Sequence, residues 1–186
     1  MVSVLMLWLP IVVSAVVVFV ASSIMHIVLS YHSNDFDRLS QEDEVMAALR
    51  PFDIPPADYA VPHGGSTAAM KKPEFVAKMK AGPVLVMTVF PAGPRPMGGN
   101  LVLWFLYSLV VGVFAAYIAG QALPAGASYA AVFRFAACTA FTSYSLALLQ
   151  GSIWWGRRWS TTLKSMFDGL VYALLTGATF GWLWPH

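Results

Sequence analysis

Four apolar runs, each long enough to cross a bilayer, leave this chain few folds to choose from. They cover about Val4–Ser30, Leu101–Gly120, Ala127–Leu149 and Leu163–Trp184. A spanning helix takes about 20 apolar residues at about 1.5 Å of rise each. Only 11% of the residues are charged, against about 25% in soluble domains. The expected fold is an all-α membrane protein, a bundle of four transmembrane helices forming one integral membrane domain over 1–186. The first run lacks a basic leader and a clear cleavage site, so it is expected to be a retained helix rather than a signal peptide. Pro10 within it is tolerable where neighbouring helices accept a kink.

If the runs span, the polar segments alternate sides. Arg38, Arg50, Lys71, Lys72, Lys78, Lys80 and Arg95 lie between the first two runs, and Arg157 and Arg158 between the last two. The N-terminus, the link Gln121–Gly126 and the tail after Trp184 carry no Lys or Arg. Positive charge stays inside, so the expected topology puts both termini outside and the segment 31–100 in the cytoplasm of a bacterial inner membrane. The net charge of +2 is too small to suggest nucleic acid. Cys138 is the only cysteine, so no internal disulfide forms.

The long segment is acidic in its first half (Asp35, Asp37, Glu42, Asp43, Glu44, Asp53, Asp58) and basic in its second. Such a split can clamp the segment on itself, press its basic half onto anionic lipid, or simply keep it solvated. Ser40 before Gln41-Glu42-Asp43-Glu44 reads as an N-cap followed by acids in a first helical turn, and Pro51 ends that helix. A second helix starts at Pro73 and stops at Gly82-Pro83. The proline-rich stretch Phe52–His63 should be extended. Val84–Phe90 has strand length and is expected to pair with Asp58–Val61. The expected loop therefore holds two short helices and one short strand pair.

Small residues decide where helices touch in lipid. Gly169, Ala173, Gly177 and Gly181 recur four apart in the fourth run, and Gly112, Ala116 and Gly120 in the second. Each row predicts a close crossing, within the protomer or between protomers. Trp154, Trp155 and Trp159 surround Gly156-Arg157-Arg158 as an aromatic and basic belt at one lipid interface. Trp182 and Trp184 mark the other.

Ionisable groups inside spans are the default candidates for function. Arg134 can snorkel to the headgroups near the His186 carboxylate, or serve a ligand or ion. Asp168 has Lys164 one turn before it as an ion-pair partner. His26, flanked by Ser22 and Ser30, lies at a similar depth. It can meet Asp168, or simply be satisfied by serine or backbone. His32 and Asp35 form a pair only if the helix continues past Tyr31. His26 and His32 are six apart, about 240° around a helix, and do not share a face. No HExxH or CxxC spacing occurs, so no metal site is expected. No haem, quinone, nucleotide or nucleophile motif occurs either, and no cofactor is expected.

The reading favoured by sequence is a non-catalytic assembly or accessory subunit, a homo-oligomer or part of a larger membrane complex, in contact with the lipid bilayer. One alternative is a channel or carrier for a small solute or ion, built on Arg134, His26 and Asp168. The other is a membrane enzyme at the cytoplasmic lipid interface, with His26, His32, Asp35 and Asp168 gathered in one pocket.

Overall fold

The computed structural model describes all of residues 1–186. Its helices are α1 (Trp8–Ser23), α2 (Glu42–Leu49), α3 (Thr67–Met70), α4 (Pro73–Ala81), α5 (Gly98–Ala122), α6 (Tyr129–Tyr144), α7 (Leu149–Trp155) and α8 (Trp159–Trp182). Two strands, β1 (Asp58–Val61) and β2 (Leu85–Thr88), complete it. The chain divides into two compact units, Met1–Phe36 with Pro96–His186, and Asp37–Arg95.

The first unit is helical. Three stretches are long and apolar enough to cross a membrane: Val4–Val28, Gly98–Ala122 and Tyr129–Trp155. The helix α8 is 24 residues long, but Lys164, Asp168 and several hydroxyls dilute its apolar character. Its largest contact is with α6, and α1 packs on both α5 and α8.

The unit is apolar outside, and its largely apolar interior also holds a set of buried polar groups. Val12, Val16 and Val20 line an exposed face of α1, and Leu163, Phe167, Leu170 and Leu174 an exposed face of α8. Ser14, Ser108, Thr162, Thr176 and Asp168 are buried. In water this arrangement would expose an apolar surface far beyond what a monomer tolerates. In lipid it costs nothing, because the tails are as apolar as leucine. Several interior hydroxyls satisfy themselves on their own helix, as Ser14 does on the Ile11 carbonyl (3.0 Å) and Thr176 on that of Tyr172 (2.8 Å).

Both small-residue rows are used within the chain. A Cβ on Gly177 would lie 2.7 Å from Ala137 Cβ and 3.0 Å from the Phe133 carbonyl oxygen, and one on Gly181 would lie 2.6 Å from the Tyr129 ring. Gly169 admits Ser145 and Tyr144 in the same way. These contacts seat α8 on α6, with Ala173 buried in the seam. On α5, Gly112 touches Ile11 and Gly120 touches Val2, with Ala116 buried between them. No glycine of either row is left facing outward for a second copy.

Several expectations need correction. The third run is not one helix: α6 ends at Tyr144, a short 3-10 turn covers Leu146–Leu148, and α7 continues to Trp155. The break falls at Ser145, which tucks against Gly169 and donates to the Met166 carbonyl (3.3 Å). The turn into α8 uses Gly156 at φ 67°, a conformation that favours a residue without Cβ. Trp184 packs into the chain instead of facing outward. It is buried, and its Nε1 donates to the Pro124 carbonyl (3.0 Å).

The second unit contains β1 and β2 paired antiparallel, Asp58 opposite Thr88 and Val61 opposite Leu85. Thr88 donates to Asp58 across the pair (2.5 Å). The Arg95 guanidinium stacks 3.8 Å above the Phe90 ring. Gln41, not Ser40, occupies the N-cap of α2, and no side chain caps it. Ser66 instead caps α3, a turn of helix absent from the sequence expectation, by accepting from the Ala69 amide (3.2 Å). No residue of this unit is buried.

Candidate functional site

The site forms where α1 stops being an α-helix. Past Ser23 the chain widens into a π turn over Ile24–Val28, closed by the Leu29 amide on the Ile24 carbonyl (3.2 Å). Leu29 is then extended, and Ser30–His32 makes one 3-10 turn. This sequence of turns cancels the 240° that a continuous helix would put between His26 and His32. Their rings stack at 4.7 Å with planes 9° apart. On a regular helix the two rings would lie on different faces; this local change of pitch puts them on one.

Asp168, from the second half of the first three turns of α8, points at both rings and is 4% exposed. Its Oδ2 lies 2.8 Å from His32 Nε2 and 3.9 Å from His26 Nε2. Its Oδ1 accepts from the Tyr31 hydroxyl. Every remaining ring nitrogen is engaged as well. His32 Nδ1 sits 2.6 Å from Asp35 Oδ2, and His26 Nδ1 sits 3.0 Å from the Ser22 carbonyl oxygen. Because a carbonyl only accepts, His26 Nδ1 carries a proton.

Lys164 does not pair with Asp168 as its spacing suggested. Its ammonium donates to the Tyr31 carbonyl (2.6 Å), Asn34 Oδ1 (2.5 Å) and Asp35 Oδ1 (3.1 Å), tying the turn after α1 to α8. Burial pushes the Asp35 carboxyl up, but hydrogen bonds from His32 and Lys164 outweigh it and hold the group below the usual carboxylate range. The Tyr31 phenol is raised, by burial first and then by the Asp168 carboxylate it serves. It therefore acts as a neutral donor.

Beside the cluster lies a cavity of about 400 Å³, to which His26, Asp168 and Ser22 contribute the polar end. Its walls are aromatic: Trp104 packs 6.1 Å from Tyr144 and 5.8 Å from Tyr172, and Tyr107 5.6 Å from Tyr144. Trp104 Nε1 donates to Ser22 Oγ (2.8 Å) and Tyr107 to the Ser143 carbonyl (2.7 Å). The Tyr172 hydroxyl has no such partner, although the residue is only 3% exposed. A buried hydroxyl without a hydrogen bond costs about 1–3 kcal/mol.

The structure thus gathers His26, His32, Asp35 and Asp168, and leaves Arg134 out. Arg134 is exposed on α6 and forms no ion pair with the His186 carboxylate. Trp154, Trp155 and Trp159 are exposed around the α7–α8 turn. Arg157 there reaches Ser165 (3.5 Å), and Arg158 reaches the Asn34 carbonyl (3.4 Å). Sequence reasoning missed Tyr31, Trp104, Tyr144 and Tyr172. For Tyr172 the available signal was an aromatic residue with a polar tip lying within an apolar run instead of at its end, where such residues otherwise collect; Tyr31 and Trp104 sit at run ends and carried no such signal. Comparison with known protein families, with curated proteins and with solved structures finds no match, so the functional reading stands on this geometry.

Proposed function

We propose that this chain is an integral membrane protein of four spans that binds an amphipathic, lipid-soluble ligand in the aromatic cavity. The ligand's apolar body would lie among Trp104, Tyr107, Tyr144 and Tyr172, and its polar group against His26, Asp168 and the Tyr172 hydroxyl. The observation that carries this reading is that hydroxyl, buried in the cavity wall with nothing to bond. Ligand sites combine apolar walls with a few converging polar groups in this way.

The His32–Asp168 pair beside the cavity supplies what acid–base work on such a ligand needs, so the enzyme reading gains support. The assembly reading loses its main argument, because both glycine rows are filled inside the chain. The carrier reading needs Arg134 on the polar path, and Arg134 does not line the cavity. With α8 as the fourth span, about 36 Å long, the site falls on the side that carries Arg157 and Arg158, which the charge rule makes cytoplasmic. The exposed tryptophans at the α7–α8 turn then lie at headgroup depth.

Native mass spectrometry from mild detergent tests the proposal. The wild-type chain should retain one amphiphile of defined mass. Leu101→Trp, at the cavity wall, should lose it, and Leu103→Trp, exposed two residues on, should keep it. A wild-type spectrum with no adduct beyond detergent and bulk lipid would overturn it.

A further inference from the structure

The geometry points to a divalent transition-metal site formed by His26 Nε2, His32 Nε2 and Asp168 Oδ2. The three residues come from the turn after α1 and from α8, and one possible ligand atom from each lies within 4.8 Å of the others. Ligands held about 2.1 Å from one ion sit no more than about 4 Å apart. Closing that difference takes movements of about 1 Å in the donor atoms.

The hydrogen bonds around the cluster explain why an ion belongs there. The His26 Nδ1 proton is committed to the Ser22 carbonyl, so in the neutral ring Nε2 presents a lone pair. That lone pair faces a carboxylate oxygen 3.9 Å away. Two acceptors facing each other across a gap repel, and either a proton or a metal ion between them removes the repulsion. His32 differs: its Nδ1 lies 2.6 Å from the Asp35 carboxylate and its Nε2 2.8 Å from the same Asp168 oxygen, both hydrogen-bonded, so an ion bound there takes the place of the Nε2 proton.

The surroundings are those of a metal site. A carboxylate on the far nitrogen of a ligating histidine fixes its tautomer and strengthens it as a donor. Asp35 does this for His32, the Ser22 carbonyl does it for His26, and the Tyr31 hydroxyl holds the other oxygen of Asp168. Lys164 in turn holds Asp35. Two imidazoles and one carboxylate suit Zn²⁺, and a three-ligand site leaves a fourth position for a small ligand. His26 and Asp168 both line the aromatic cavity, so that position opens toward the proposed amphiphile. The ion site shares this cavity but does not depend on the amphiphile being there.

The test is titration of the chelator-stripped, untagged protein in detergent with Zn²⁺ by calorimetry, and with Co²⁺ by visible absorption. The wild type should take up one ion per chain. Asp168→Asn and His26→Gln should each lose at least tenfold in affinity, and Asp35→Asn about 10–100-fold, as outer partners of metal ligands do. His63→Gln, in the other unit, should bind as the wild type does. Should Asp168→Asn fail to fold, His26→Gln decides, because that side chain is 52% exposed and its loss leaves the fold standing. Leu101→Trp should keep the ion while losing the amphiphile, so the two proposals fail separately. Absence of saturable binding by the wild type, or equal affinity in the wild type and His26→Gln, overturns the site.

Discussion

The two units of this chain are held by different physics. The helical unit buries two clusters of side chains, one including Leu7, Val132 and Phe180 and the other Val18, each of these wholly shielded. The 37–95 unit buries none, and its elements persist through local signals: a capping serine, prolines at helix starts, and one strand pair. Tertiary packing supplies most of a helix's stability in folded proteins. The contrast teaches that the first unit can position a site to a fraction of an ångström, whereas the second resembles a solvated connection with ordered pieces. The titratable cluster belongs to the first.

The sharpest way to break this contrast is to remove core volume. Phe180→Ala should cost about 3–5 kcal/mol, as large-to-small changes at filled sites do. It should lower the thermal midpoint in detergent, and a shift under one degree would deny that the helical unit has a close-packed interior. Next comes overpacking. Gly177→Leu should cost about 1–3 kcal/mol, because the Phe133 backbone carbonyl cannot move aside as a flexible side chain would. Leu174→Phe, on the exposed face of the same helix, should change stability by less than about 0.5 kcal/mol. Equal effects of the two would show that the α6–α8 seam is not tight.

The smallest expected effects lie in the other unit. Thr88→Ala removes the hydroxyl that bonds Asp58, and should cost about 0.5 kcal/mol, the low end for a hydrogen bond exposed to water. Native-state hydrogen exchange then completes the comparison. Amides of β1 and β2 should exchange orders of magnitude faster than those of α5 and α8, since opening energies track buried contacts. Comparable protection in the two units would mean that 37–95 is covered by something, and would redirect attention to it.

The elements of the 37–95 unit were largely legible in sequence. Pro73 and Gly82-Pro83 bracket α4, and the pairing of Asp58–Val61 with the 84–90 run holds in β1 and β2. These signals are local, and nothing distant competes with them. The apolar runs were equally legible, because their length and composition need no partner to interpret. The α6 break at Ser145 was not, since the contacts Ser145 makes there, with Gly169 and the Met166 carbonyl, come from another helix.

What the sequence determined by itself is the apolar helices, the small-residue rows and the residue types able to carry chemistry. His26, His32, Asp35 and Asp168 could each be picked out as ionisable groups in or near lipid. Their meeting was decided only in three dimensions. A π turn and one extended residue rotate His32 onto the face of His26, and α8 then brings Asp168 across more than a hundred residues of chain. Helical periodicity is a statement about regular backbone, so it fails where backbone pitch changes. That failure and the candidate site fall at the same turn.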